Sequence, residues 1–162
     1  MTIPEGVTSI ESNAFSGCTG LSYLSIPLSV TDIQPGTFKG VAPETIQAVE
    51  VPFVNGDAFL GSLSKSNLKT IIIPEGATTI PQGAFRGAEN VTTVKIPASV
   101  TTVESNAFYG VAPTYLEAPF LPTSMDGKKV KTIVVPNEVK SLKDKAFWGC
   151  TNVSSITLPP MI

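Results

Sequence analysis

The stretch IPEGVTSIESNAFSGC, at residues 3–18, returns as IPEGATTIPQGAFRGA at residues 73–88. Apolar residues make up 42% of the chain and charged residues 15%, a balance typical of a packed core and not of a low-complexity segment. The repetition therefore indicates that one structural unit has been copied within a folded chain.

An apolar residue followed by proline recurs along the whole sequence, at spacings between 17 and 25 residues. These prolines are Pro4, Pro27, Pro52, Pro74, Pro97, Pro119, Pro136 and Pro159. In five units a phenylalanine follows the proline by 11 residues, at Phe15, Phe38, Phe85, Phe108 and Phe147. A fixed period of this size is typical of a solenoid, because a single unit cannot bury its apolar face alone. The sequence predicts one β-rich solenoid domain over residues 1–162, with about seven repeats of about 23 residues.

A short apolar segment precedes each proline after the first: LSYLSIP, TIQAVEVP, LKTIIIP, VTTVKIP, TYLEAP, VKTIVVP and VSSITLP. Its last apolar residues alternate as a half-buried strand requires, and proline then ends the strand because it lacks an N–H for the ladder. A second apolar pair in five units predicts a second extended segment; the pairs are Val7 with Ile10, Val30 with Ile33, Ala77 with Ile80, Val100 with Val103 and Val139 with Leu142.

These motifs resemble the BspA-like class of bacterial-type leucine-rich repeats, and the resemblance covers residues 3–159. It is carried by LSYLSIPLSVTDIQPGTF, LKTIIIPEGATTIPQGAFRGA and VKTIVVPNEVKSLKDKAFWGC. The resemblance implies a right-handed leucine-rich-repeat array with a parallel sheet. It also implies a secreted or cell-surface protein linked to adhesion.

The first unit begins at a strand end and the last stops just after a strand, without a polar capping unit. We therefore expect the chain to be a fragment of a longer array, with possible end-to-end self-association through uncovered apolar ends.

Two units depart from the regular pattern. FVNGDAFLGSLSKSN follows Pro52 and the shorter FLPTSMDGKK follows Pro119, each after a unit that contains GVAP. The duplicated opening stretch thus marks a duplicated block of three units. Either the irregular turns have drifted on a tolerant surface, or they form a recognition surface of their own.

Charge is unevenly distributed: residues 1–117 carry 5 basic and 10 acidic groups, whereas residues 118–162 carry 6 basic and 3 acidic groups. The basic residues of the second part are Lys128, Lys129, Lys131, Lys140, Lys143 and Lys145. This lysine cluster is either a solvated rim or a site for an anionic partner such as a sulfated glycan.

Cys18 and Cys150 occupy the same position of the first and last full units, about six coils or roughly 29 Å apart at strand spacing. A disulfide between them is excluded by that distance, and we expect two reduced, buried thiols that fill the core. Asn90 and Asn152 begin glycosylation sequons, yet both stand at the turn before a strand, where the side chain serves the turn.

Enzyme chemistry has little support in the sequence, because the chain contains no histidine and no phosphate-binding glycine motif. Glu50 and Glu117, which the proline alignment places in one column, would lie roughly 14 Å apart, too far for a pair of glycosidase carboxylates. No cofactor or metal is expected, since no metal-loop spacing occurs. The acidic pI of about 5.1 argues against nucleic-acid binding, and no apolar run suits membrane insertion.

The candidate binding face follows from strand alternation, which points every second side chain away from the core. One outward column comprises Tyr23, Ala48, Thr70, Thr93, Tyr115, Thr132 and Ser155. Its neighbour comprises Ser25, Glu50, Ile72, Lys95, Glu117, Val134 and Thr157. Within these columns the predicted ligand-binding residues are Tyr23, Glu50, Thr70, Ile72, Lys95, Tyr115 and Glu117.

The sequence thus predicts a non-enzymatic recognition module that binds a protein or glycan ligand on a host or neighbouring cell. The alternative is a structural spacer or stalk repeat without a ligand of its own, for which small polar residues on the strand face would suffice.

Overall fold

The computed structural model describes residues 1–47 and 63–160 and shows a β-solenoid. We number the coils from the recurring prolines: coil one is 4–26, coil two 27–51, coil three 52–73, coil four 74–96, coil five 97–118, coil six 119–135 and coil seven 136–158.

Among the described residues, each coil contributes one three-residue strand to a parallel sheet, and four coils add a shorter strand on a second layer. In chain order the strands are β1 Ser9–Ile10, β2 Tyr23–Ser25, β3 Asp32–Ile33, β4 Thr45–Gln47, β5 Thr70–Ile72, β6 Thr79–Ile80, β7 Thr93–Lys95, β8 Thr102–Val103, β9 Tyr115–Glu117, β10 Thr132–Val134 and β11 Ser155–Thr157. One 3₁₀ helix, Gly127–Lys129, lies in coil six.

The main sheet has seven strands in the order β2-β4-β5-β7-β9-β10-β11, all paired in parallel. The second layer holds two parallel pairs, β1 with β3 and β6 with β8. The predicted second extended segment is therefore confirmed in coils one, two, four and five. Coil seven differs, because Val139 and Leu142 lie outside any strand.

The core is a stack of equivalent side chains from successive coils. The central residue of each strand is fully buried from coil one to coil six: Leu24, Ile46, Ile71, Val94, Leu116 and Ile133. The residue before the proline is also buried at Ile3, Ile26, Ile73, Ile96, Ala118 and Val135, whereas Leu158 in coil seven is exposed. The N–H of these buried residues continues the ladder, as from Ile73 to the Lys95 carbonyl at 2.9 Å. Proline can follow without loss because the strand ends there.

Phenylalanines fill the turn opposite the strands and stack between coils. The ring centroids of Phe85 and Phe108 are 5.3 Å apart, and those of Phe15 and Phe38 are 5.5 Å apart. Phe85 and Phe108 are fully buried, whereas Phe15 is only half-buried. A glycine two residues after each of these phenylalanines takes a positive φ, for example +77° at Gly87, which lets the chain turn back toward the strand.

Strand β4 corrects the alignment made from the prolines alone. Tyr23 pairs with Thr45 and Ser25 pairs with Gln47, so these residues occupy the outward positions that the sequence assigned to Ala48 and Glu50. The physical reason is that the GVAP turn fixes where the strand begins, and β9 likewise starts two residues after the proline of the second GVAP turn. Ala48 and Glu50 themselves lie outside the described residues.

We expect Phe108→Ala to lower the free energy of unfolding by about 3–5 kcal/mol, because the buried ring leaves a cavity beneath a stacked partner. Phe15→Ala should cost distinctly less, since that ring is half-exposed and loses less burial. Chemical denaturation of the two variants beside the wild type measures the difference. Equal losses of unfolding free energy in the two variants would show that burial of the stacked ring does not determine its contribution to stability.

Candidate recognition surface

The candidate surface is the outward face of the main sheet, where pairs of side chains from neighbouring strands meet. Tyr115, at the start of β9, and Glu117, at its end, point to the same side because they are two residues apart. The same alternation places Thr70 and Ile72 on β5, and Thr93 and Lys95 on β7.

The strand register brings Ile72, Lys95 and Glu117 side by side, since Ile72 pairs with Lys95 and Lys95 with Glu117. Lys95 Nζ lies 3.4 Å from Glu117 Oε2. Both side chains are substantially exposed, at 45% and 31%, so water screens the ion pair and it adds little stability. Lys95 or Glu117 can therefore leave this ion pair and bind a charged group of a ligand at a small cost in free energy.

Tyr115 adds an aromatic side chain to this group. Its hydroxyl donates to Glu117 Oε2 at 3.3 Å. Partial burial, and next the negative charge of Glu117, raise the pKa of Tyr115 above its ordinary value of 10.0. The phenol consequently stays protonated at neutral pH and can donate a hydrogen bond.

A shallow cavity of about 250 Å³ opens beside this group, at the ends of the strands. Ile72, Lys95 and Glu117 line it together with Glu75 and Glu138. We call Ile72, Lys95, Tyr115 and Glu117 the strand-face patch; it combines an aliphatic, an aromatic and both charges, as protein-binding surfaces do.

The remaining predicted residues lie on the same face but away from the patch. Tyr23 is on β2, four strands from Tyr115, and its hydroxyl donates to Gln47 Oε1 at 2.8 Å. Thr70 pairs with Thr45 and Thr93, which makes the centre of its column small and polar. Glu50 falls outside the described residues. Sequence reasoning missed Gln47, although alignment of the two GVAP turns with each other would have placed it in the same outward column as Glu117.

Only part of the irregular turns can be compared with the sequence interpretation, because residues 53–62 of the first lie outside the described residues. The second turn is anchored in the array: Ser124 Oγ accepts from the Phe108 N–H at 3.0 Å, and the Asp126 N–H donates to the Val111 carbonyl at 3.0 Å. All six lysines of the lysine cluster are exposed, and Lys143 Nζ lies 5.7 Å from the ring centroid of Phe120.

The two sequon asparagines serve the turn, as expected. Asn90 Nδ2 donates to the Ser66 carbonyl at 3.0 Å and Asn152 Nδ2 donates to the Lys128 carbonyl at 2.7 Å. Each amide thereby links its coil to the preceding one.

Cys18 contradicts the expectation of two buried thiols, because it is exposed. Its equivalents Val41, Ala88 and Val111 are fully buried between coils, whereas coil one packs against another coil of this chain on one side only. Cys150 is half-buried, and burial raises the pKa of its thiol.

Within residues 1–47 and 63–160, no group of three or more histidine, cysteine or carboxylate side chains is arranged to hold a metal ion. The same part of the chain has no helix of the length and apolar character needed to cross a membrane.

The stacked parallel coils define a β-solenoid of the leucine-rich-repeat class. The chain matches the BspA type leucine rich repeat region in six copies, over residues 1–115 and 122–162, and therefore belongs to that family. Proteins of this class are commonly involved in protein interaction and are typically non-enzymatic, and the family is often surface-associated.

Among solved structures, the chain is similar to the T. pallidum leucine rich repeat protein at 24% sequence identity, with a TM-score of 0.43. That similarity covers 99% of this chain and 68% of the other. A search of curated protein sequences gave no match.

We expect Cys18 to react rapidly with a thiol reagent in the native protein and Cys150 to react slowly. Only the thiolate reacts, and the raised pKa and partial burial of Cys150 reduce both its thiolate fraction and its access. Labelling of Cys18→Ala and Cys150→Ala, followed by mass spectrometry, separates the two rates. In denaturant the difference should vanish, and equal native rates would contradict the burial of Cys150.

Proposed function

We propose that this chain is a non-enzymatic recognition module of a secreted or cell-surface protein and that it binds a protein ligand through the strand-face patch. The observation that carries the proposal is the half-buried Ile72 beside the Lys95–Glu117 pair and Tyr115, on three successive strands. A strand face that served only as scaffold would not need an aliphatic side chain framed by charges and an aromatic ring.

The physical role of each residue follows from its chemistry. Ile72 supplies apolar area that a partner can desolvate, and Tyr115 supplies an aromatic ring with a donor hydroxyl. Lys95 and Glu117 orient the partner, because opposite charges favour one docking direction and disfavour others. A protein surface is favoured over a glycan because the patch centre is aliphatic.

A spacer without a ligand is the second candidate, and one observation favours it. The other outward column is mostly threonine along its length, with Thr45, Thr70, Thr93 and Thr132. Threonine suits a strand without offering a binding hot spot. The recognition module requires that the patch contribute binding energy, whereas the spacer requires that it contribute none.

The test begins with a screen of the purified chain against an array of purified extracellular proteins, after which each ligand found is titrated with variants. We expect Ile72→Ala and Tyr115→Ala to weaken binding by about 1 kcal/mol or more each, as truncation of hot-spot residues does. Leu28→Ala is the matched control, because Leu28 is an exposed aliphatic residue, at 38%, outside the main sheet.

Unchanged melting temperatures would show that the losses do not come from unfolding. If the patch variants bind as tightly as Leu28→Ala and the wild type, the strand face is scaffold and the proposal is wrong.

A further inference from the structure

Coil six is shorter than its neighbours: its proline is 17 residues from the next, against 22 in coil five and 23 in coil seven. The missing residues belong to the second layer. In regular coils the phenylalanine N–H donates to the next coil, as from Phe85 to the Ala107 carbonyl at 2.8 Å. In coil six the Leu121 N–H takes this place, donating to the Ala146 carbonyl at 2.7 Å.

Leu121 follows Pro119 by only two residues, whereas Phe85 follows Pro74 by 11. The chain therefore passes from the proline to the phenylalanine position without forming a second-layer strand. The second layer of coil five consequently faces that of coil seven across a position that holds no second-layer strand, which we call the coil-six gap. Its sides are residues 101–104 and 140–143.

The backbone on the coil-seven side of the gap has hydrogen-bond donors without acceptors. In coil five the N–H groups of Thr101 and Thr102 donate to the Thr78 carbonyl at 3.0 and 3.2 Å, and the Glu104 N–H donates to the Ile80 carbonyl at 2.9 Å. The equivalent N–H groups in coil seven, those of Lys140, Ser141 and Lys143, make no hydrogen bond to the described protein.

The coil-five side presents the complementary acceptors. The Thr101 and Val103 carbonyls, equivalent to those of Thr78 and Ile80, accept no hydrogen bond from the described residues. Two coils are separated by about 9.5 Å at a strand spacing of about 4.8 Å, so the gap has the width of one strand. An edge with unpaired donors and acceptors is a template for an added strand.

The gap contains two cavities, and the Phe120 ring, with Lys143 Nζ 5.7 Å from its centroid, reaches between its sides. Cavities of about 220 and 250 Å³ share Thr101, Phe120 and Lys143 in their linings. Leu142 is 38% exposed, although its equivalents Ile33 and Ile80 are fully buried. An inserted strand with an apolar residue at this level would cover Leu142 on one side and Val103 on the other.

Charge indicates the kind of strand that fits. Lys140 and Lys143 line the gap together with Glu138, and Lys145 and Asp144 border its lower part. With Glu104 on the coil-five side, the acidic and basic groups around the gap are equal in number, and Lys140 and Lys143 place positive charge on its coil-seven side. Lys143 stands at the position where Gln34 follows Ile33 in coil two. An acidic side chain directly after the apolar residue of the inserted strand would pair with Lys143. Glu104, at the equivalent position of coil five, is directed toward coil four, where its carboxylate accepts from the Gln82 N–H at 2.9 Å.

We propose that the coil-six gap is a β-augmentation site, which binds an extended segment of a partner protein as a parallel strand between coils five and seven. The bound segment carries an apolar residue followed by an acidic residue. Its carbonyls accept from Lys140, Ser141 and Lys143, and its N–H groups donate to the Thr101 and Val103 carbonyls. This site is on the second layer and is separate from the strand-face patch, so it goes beyond the function proposed above.

The chain itself contains a suitable probe, the heptapeptide EGVTSIE of residues 5–11, in which Ile10 precedes Glu11. Within the array this segment already forms the required ladder: the Thr8 carbonyl accepts from Thr31 at 3.0 Å, and the Ile10 carbonyl accepts from Gln34 at 2.9 Å. The acetylated, amidated and fluorescently labelled peptide is titrated into the intact chain by anisotropy, and amide shifts are followed by NMR.

We expect the peptide to bind and the amide signals of Ser141 and Lys143 to shift and exchange more slowly with solvent. The same peptide N-methylated at its serine and final glutamate should bind at least about tenfold more weakly, because it cannot donate to coil five. Lys140→Glu with Lys143→Glu should also weaken binding about tenfold, since like charges then oppose the acidic residue.

Lys129→Glu with Lys131→Glu is the matched control, with the same charge change outside the gap, and should bind within about twofold of the wild type. Absence of binding, equal affinity of the N-methylated peptide, or shifts confined to other amides would overturn the proposal. A heparin-derived oligosaccharide that binds the gap lysines while the peptide does not would also overturn it.

Discussion

The parallel hydrogen-bond ladder from each coil to the next is the interaction on which the whole array depends. A coil of about 23 residues buries too little apolar surface to be stable alone, so its backbone groups and its core residues must both be satisfied by neighbours. The ladder fixes the register, and the register stacks Ile71 on Val94 and Phe85 on Phe108. Every inward position is thereby constrained, while the outward positions remain free to vary for binding.

That constraint explains why a short coil has consequences beyond its own residues. Coil six keeps its main strand, β10, and its Leu121 fills the phenylalanine position, so the main sheet continues through it. Only the second layer is interrupted, which uncovers Leu142 and leaves the backbone of coil seven without partners on that side. The residues between the two family-matched ranges, 116–121, fall where this coil begins.

Much of the fold could be predicted from the sequence, because the proline and phenylalanine positions repeat and the inward residues between them are apolar. The predicted register of β4 was wrong because it was counted back from Pro52, whereas the turn before the strand determines where pairing starts. The prediction that Cys18 is buried was wrong, because equivalent sequence positions are equally buried only in coils that are covered on both sides. The 17-residue spacing was visible in the sequence, but only hydrogen bonds show which layer the deletion removes. The outward direction of all four patch residues could be predicted, because alternation alone fixes which side chains of a strand point outward. Gln47, on the same face but outside the patch, was missed.

The central claim is that hydrogen bonds between coils protect the backbone and that this protection is absent from the second layer at coil six. Amide hydrogen exchange of the free protein, resolved by NMR, tests it most directly. The account predicts slow exchange for the N–H groups of Thr102 and Glu104, which donate to coil four, and fast exchange for their equivalents in coil seven, Ser141 and Lys143. Equal protection of the two pairs would contradict it, because it would mean that the second layer is continuous across coil six.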